Sequence, residues 1–108
     1  MTIKLPQIIK KYVDASNRHD VKFILSCFAK DALVHDEGKV LRGQKAIEAW
    51  VVKTIAKYKF HFTPLSVKDD NTELVVRMEV SGTFDGSPIS LDYHFVIVDD
   101  KILSLRIG

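Results

Sequence analysis

The chain has one cysteine, three prolines and five glycines among 108 residues, and its basic side chains outnumber the acidic ones by only two. A single cysteine excludes an internal disulfide and fits a reducing compartment. No segment approaches the roughly 20 apolar residues of a membrane span, and the first six residues lack the apolar run of a signal peptide. Scattered lysines without interleaved aromatic side chains argue against a nucleic-acid partner. We therefore expect a cytoplasmic protein that binds neither nucleic acid nor membrane.

What is present describes an ordinary globular domain. Hydrophobic residues make up 46% of the chain and charged residues 28%, and this length buries roughly two-thirds of the unfolded surface. Residues 1–108 are therefore expected to form one domain, with no linker or repeat. Cys27 lies on an apolar helical face, which predicts a small buried core residue rather than a reactive thiol.

The first half of the chain shows helical periodicity. Apolar side chains recur at three- and four-residue spacing over residues 8–16, which predicts a first helix. Asp20 suits the N-cap of a second helix that ends near Asp31. That helix is expected to bury Phe23, Ile24, Cys27 and Phe28. A short strand ending at Asp36 and a turn at 37–39 precede a third helix, whose inner face would hold Ala46, Ile47, Trp50, Val51, Thr54 and Ile55.

From Phe60 onward the period changes to two, which indicates strands. The predicted strands cover residues 60–68, 74–84, 89–98 and 102–107, separated by turns rich in Asp, Asn and Gly. Helices followed by a meander of strands predict an α+β fold with an antiparallel sheet.

Three stretches of the sequence carry a family resemblance. Residues 12–20 (YVDASNRHD) resemble the first-helix signature of the nuclear transport factor 2-like superfamily, residues 28–36 (FAKDALVHD) its passage into the first strand, and residues 41–47 (LRGQKAI) its entry to the third helix. Within the superfamily the chain looks most like the SnoaL-like polyketide cyclases and ketosteroid isomerases. The resemblance implies three helices packed on a curved, mainly antiparallel sheet, forming a cone with an apolar pocket, and homodimers are common among such proteins.

The resemblance also implies three catalytic residues. Asp36 matches the proton-shuttling aspartate, and Tyr12 matches the tyrosine that binds the developing oxyanion. Tyr93 stands where the isomerases carry a second acid, and Asp92, one residue earlier, should point to the opposite face of its strand. The isomerase site is therefore not intact, although a tyrosine at 93 can still donate a hydrogen bond.

A ligand in such a cone would meet apolar side chains. The candidates for its wall are Trp50, Met78, Val80, Phe84 and Phe95, which could equally fill a core. His35 and Asp36 are strand neighbours that face opposite ways, so no metal site is expected. His94 is expected on the outer sheet face with Val96, where an interface role is favoured over catalysis.

Three functions stay open at this point, because this kind of fold hosts many activities. The first is a cofactor-independent isomerase, cyclase or dehydratase that acts on a small apolar carbonyl compound. The second is a module that binds an apolar ligand without chemistry. The third is a dimerising unit whose pocket is filled by its own side chains. A cavity of a few hundred cubic ångströms that contains Asp36 would favour the first two.

Overall fold

A computed structural model describes residues 4–108, and over that range the chain forms three helices and six strands. In chain order they are α1 (Gln7–Asn17), α2 (Val21–Ser26), β1 (Phe28–Asp36), β2 (Lys39–Arg42), α3 (Gly43–Tyr58), β3 (His61–Asp69), β4 (Leu74–Ser81), β5 (Ile89–Val98) and β6 (Lys101–Ile107). The strands form one sheet in the order β2-β1-β6-β5-β4-β3. All neighbouring strands are antiparallel except β1 and β6, which are parallel. The α+β prediction is confirmed.

The second helix is shorter than its sequence predicts. Asp20 caps it as expected, accepting a hydrogen bond from the Phe23 backbone N–H at 3.1 Å, but the helix ends at Ser26 rather than near Asp31. Strand pairing takes over there, because Phe28 already lies opposite Ile102 of β6 and the Cys27 carbonyl accepts from the Ile102 N–H at 2.8 Å.

Burial along this segment also differs in part from the prediction. Cys27 and Phe28 are buried as expected, Phe28 from its place in β1. Phe23 is 39% exposed, and the Arg18 guanidinium lies 5.5 Å from the centre of its ring. The prediction that Phe23 is buried is therefore wrong, because the short helix turns that side chain outward.

The long strands follow the predicted alternation. β5 covers residues 89–98 as expected, whereas β4 ends at Ser81, three residues early. The reason is Gly82, where a Cβ would collide with the carbonyl oxygen of Tyr58 at the end of α3. That carbonyl accepts a hydrogen bond from the Thr83 backbone N–H at 2.8 Å. The chain therefore leaves the sheet and bends at Gly82, where it lies against the end of α3.

The register between β4 and β5 decides which side chains face inward. Pairing is regular from Leu74 opposite Phe95 to Val80 opposite Ile89, so no bulge rotates Asp92 inward. Asp92 lies on the outer face and pairs with Arg77 at 3.1 Å. His94 is also on that face, and its Nδ1 lies 2.9 Å from the Glu73 carboxylate. Tyr93 faces inward.

No helix within residues 4–108 is long and apolar enough to cross a membrane.

Candidate active site

The helices and the inner face of the sheet enclose a cavity of about 330 Å³, which is at the small end of the usual range of roughly 300–1,000 Å³ for ligand sites. All three tyrosines of the chain and its single tryptophan line it, as do three of the six phenylalanines. The aromatic side chains on its wall are Tyr12, Trp50, Tyr58, Phe60, Phe62, Phe84 and Tyr93. A cavity of this size argues against a pocket filled by the chain's own side chains.

Asp36 reaches this cavity because it ends β1 on the inner face. Ala32 and Val34, on the same face of the strand, have no exposed surface, and His35 points the other way. Glu37 and Gly38 then form a tight turn with positive φ angles of 51° and 76°. This turn places Asp36 at the open edge of the cavity rather than in the middle of the sheet.

Trp50 holds the Asp36 carboxylate in place. The turn sends β2 back antiparallel to β1, and α3 then carries Trp50 over the end of β1. The indole Nε1–H donates a hydrogen bond to Asp36 Oδ2 at 2.9 Å. A charge-assisted hydrogen bond of this kind fixes the orientation of one carboxylate oxygen and leaves lone pairs of the other free.

Tyr12 and Tyr93 form the deep end of the cavity, where they are 2% and 4% exposed. The Tyr12 ring on α1 stands edge-on against Phe28 and Phe95, with ring centres 5.8 and 5.7 Å apart. Tyr93 on β5 packs edge-on against Phe62 at 5.4 Å. These contacts fix both rings and leave their hydroxyl groups as the polar ends inside an apolar enclosure.

The surroundings keep both phenols protonated. Burial raises the pKa of Tyr12 well above its ordinary value, contact with the Ser16 side chain works against that rise, and the charge of Asp36 adds to it. Burial also raises the pKa of Tyr93, with further contributions from Tyr12 and Asp36. A protonated phenol is a hydrogen-bond donor. The deep end therefore presents two donors within electrostatic reach of the Asp36 carboxylate.

The Tyr93 hydroxyl is open to the cavity. No hydrogen bond joins it to another side chain between residues 4 and 108, yet none of the fully enclosed side-chain polar atoms there lacks a partner. The hydroxyl oxygen therefore touches cavity space. A buried donor in this position gains from any ligand that brings an acceptor.

Two of the five predicted wall residues do not reach the cavity. Trp50, Val80 and Phe84 line it, whereas Met78 and Phe95 have no exposed surface and belong to the core. Tyr12 covers Phe95, and Met78 lies two residues nearer the middle of the sheet than Val80. Their place on the inner face was predicted, but their distance from the opening depends on how the helices cover the sheet.

The rim of the cavity was missing from the sequence prediction. It carries the carboxylates of Glu37 and Asp85 and the phenol of Tyr58, which donates to Glu37 Oε1 at 3.2 Å. Glu37 could have been found because it follows Asp36 directly in the turn. Tyr58 and Asp85 are distant in sequence from Asp36, and no local pattern connects them.

Asn17 fixes the far wall. Its side chain makes two hydrogen bonds with the backbone of Phe62, donating to the carbonyl at 2.9 Å and accepting from the N–H at 2.7 Å. His19 adds a bond from Nε2 to the Phe60 carbonyl at 2.8 Å. The rings of Phe60 and Phe62 stack on each other with their centres 4.6 Å apart. The first-helix signature therefore positions part of the cavity wall.

Among residues 4–108, no three His, Cys, Asp or Glu side chains come close enough to hold a metal ion.

The family model described as the SnoaL-like domain matches residues 9–104. The chain belongs to the SnoaL-like family. A search of curated proteins found no significant match.

Solved structures agree with this assignment. A proposed polyketide cyclase from Sinorhizobium meliloti is 38% identical to the SnoaL-like chain, with a TM-score of 0.92 over 96% of this chain and 95% of that one. A protein with a ketosteroid isomerase-like fold from Catenulispora acidiphila, solved with trimethylamine, is 18% identical, with a TM-score of 0.83 over 97% and 86%. A nuclear transport factor 2-like protein of unknown function from Cytophaga hutchinsonii is 11% identical, with a TM-score of 0.78 over 100% and 91%. The latter two show the fold alone.

Proposed function

We propose that this SnoaL-like domain is a cofactor-independent acid/base enzyme that acts on a small apolar carbonyl compound. The observation that carries the proposal is the convergence of one oriented carboxylate and two protonated phenols in a single apolar cavity. The similarity to a proposed polyketide cyclase supports the same class of chemistry. Isomerisation, aldol-type cyclisation and dehydration all begin with the same proton transfer.

In the proposed mechanism, Asp36 takes a proton from the carbon next to the carbonyl group. The electron pair of the broken C–H bond forms the enolate, whose oxygen accepts hydrogen bonds from Tyr12 and Tyr93. Donors placed where negative charge develops stabilise the transition state more than the ground state. Asp36 then returns the proton to the product and is again a carboxylate. Trp50 acts as a positioning residue because it fixes Asp36 Oδ2.

The test measures this first proton transfer without knowledge of the natural substrate. Wild-type protein is incubated with the bicyclic ketone 2-tetralone in D₂O, and deuterium uptake next to the carbonyl is followed by NMR. Asp36→Asn should lower the protein-catalysed exchange by at least about 100-fold, as expected for a lost general base, while circular dichroism shows an unchanged fold. Exchange in Asp36→Asn equal to wild type would overturn the assignment of the base. Binding of the ketone without exchange above buffer in wild type would instead indicate a non-catalytic binding module.

The homodimer and the cytoplasmic location implied at the start remain proposals. Size-exclusion chromatography with light scattering tests the first, and a clean monomer at high concentration would contradict it.

A further inference from the structure

Among residues 4–108, the charged side chains that line the cavity all carry negative charge. Its wall includes the carboxylates of Asp36, Glu37 and Asp85. None of the chain's 16 Lys and Arg or four His side chains lines it within residues 4–108. The charged side chains that line the cavity are therefore all acidic, although the chain as a whole has a net charge of +2. Asp36 is partly buried against the apolar wall, so its charge is screened less than a charge in open water, whereas Glu37 and Asp85 are exposed.

The two ends of the cavity differ in burial and in chemistry. The deep end holds the buried Tyr12 and Tyr93, and the Tyr93 hydroxyl lacks a side-chain partner among residues 4–108 and is open to the cavity. The rim holds Glu37 and Asp85, which are exposed, and the partly buried Tyr58. The deep end therefore suits a neutral acceptor oxygen, and the rim suits a positive charge.

The ammonium group of Lys57 lies next to Tyr58 at the rim. Lys57 Nζ lies 5.1 Å from the centre of the Tyr58 ring, which is within cation–π distance. Tyr58 and, more weakly, Glu37 raise the pKa of Lys57. Lys57 is not part of the cavity wall, so its amine leaves the inner side of the rim open.

We propose that the cavity takes an amino ketone: an apolar body with a neutral carbonyl oxygen at Tyr12 and Tyr93 and an ammonium group at Glu37 and Asp85. The carboxylates of Asp36, Glu37 and Asp85 repel compounds that themselves carry a carboxylate. The aromatic wall accommodates the body and contributes cation–π attraction where Tyr58 meets the ammonium group. The identity of the deep group as a carbonyl rests on the proposed function, whereas the charge preference rests on the cavity alone.

The test is a calorimetric titration with three acetophenones that differ in one substituent. The 4-aminomethyl compound is cationic, the 4-hydroxymethyl compound is neutral and the 4-carboxymethyl compound is anionic. The cationic compound should bind at least about tenfold more tightly than the neutral one, and the anionic compound should bind most weakly. The cationic advantage should shrink as salt is raised from low to physiological ionic strength.

Two matched double variants locate the preference. Glu37→Gln with Asp85→Asn removes both rim charges and should bring the cationic and neutral compounds within about twofold of each other. Glu79→Gln with Asp92→Asn removes two charges on the outer sheet face and should leave the order unchanged. Equal binding of all three compounds, tighter binding of the anion, or no binding of any of them overturns the proposal. If the rim variant does not fold, the salt dependence of wild type decides instead, and an advantage independent of salt counts against the rim charges.

The result is separable from the proposed function. A cationic preference without deuterium exchange leaves the ligand class intact and removes the catalysis. Deuterium exchange without a cationic preference supports the catalysis and removes the proposed ligand class.

Discussion

The two faces of the sheet differ in whether their polar side chains have partners. On the outer face, Arg77 pairs with Asp92 at 3.1 Å, and Glu73 pairs with both His94 and Arg106. On the inner face, the Tyr93 hydroxyl has no side-chain partner among residues 4–108. Three consecutive residues of β5 thus contain two paired outer groups and one open inner group. Paired polar groups complete the structure, whereas an open buried donor is available for a ligand.

The largest expected difference between the faces is in catalysis. Tyr93→Phe should slow deuterium exchange of 2-tetralone by about 100-fold, the effect of removing one oxyanion donor, and Tyr12→Phe should act similarly. Asp92→Asn, the outer neighbour, should leave the rate unchanged. Because the Tyr93 hydroxyl has no partner to leave behind, its removal should change the free energy of unfolding by less than about 0.5 kcal/mol. Rates of both Phe variants within twofold of wild type would contradict the donor roles.

The next effect concerns the support of the inner wall. Asn17→Ala removes two hydrogen bonds to the Phe62 backbone and leaves two partly buried groups unpaired, so it should lower the free energy of unfolding by about 2–3 kcal/mol. Urea denaturation measures the change. Gln7→Ala, an exposed position on the same helix, is the control and should stay within about 0.5 kcal/mol of wild type. Equal stabilities of the two variants would show that the Asn17 contacts do not hold the wall.

A smaller loss in the free energy of unfolding is expected for each unit of pH above 10. Tyr12 and Tyr93 have folded-state pKa values raised above the ordinary value of 10.0. The stability linked to each is therefore fully present below pH 10 and is lost as pH rises above it, because the unfolded chain releases the proton first. Each tyrosine should contribute a loss of about 1.4 kcal/mol per pH unit there. Urea denaturation at pH 9, 10 and 11 should show a shallower decline in the double variant Tyr12→Phe, Tyr93→Phe, and parallel declines would sink the prediction.

The smallest effect belongs to the outer face. Arg77 and Asp92 keep 50% and 37% of their side chains exposed, so solvent screens their attraction. A double-mutant cycle with Arg77→Ala and Asp92→Ala should give a coupling of about 0.2–1 kcal/mol. A coupling above about 2 kcal/mol would mean that this face is buried, as it would be in a homodimer.

The sequence predicted which face of the sheet a strand residue lies on better than it predicted whether that residue reaches the cavity. Alternation correctly placed Tyr93 inward and Asp92 outward, because period two follows from strand geometry alone. It could not separate Val80, at the cavity, from Met78, in the core. Nor could it predict the bond between Trp50 and Asp36, which depends on β2, a four-residue strand with no recognised pattern of its own. The second helix was overextended because pairing of Phe28 with β6 is a contact between distant parts of the chain.

The hydrogen bond between Trp50 and Asp36 also allows the site to be followed by tryptophan fluorescence. The chain contains one tryptophan, and that indole donates its N–H to the proposed base at the cavity. All tryptophan fluorescence of the unlabelled protein therefore comes from the site. A shift in emission on adding a compound therefore reports an event beside Asp36, without any label or coupled assay.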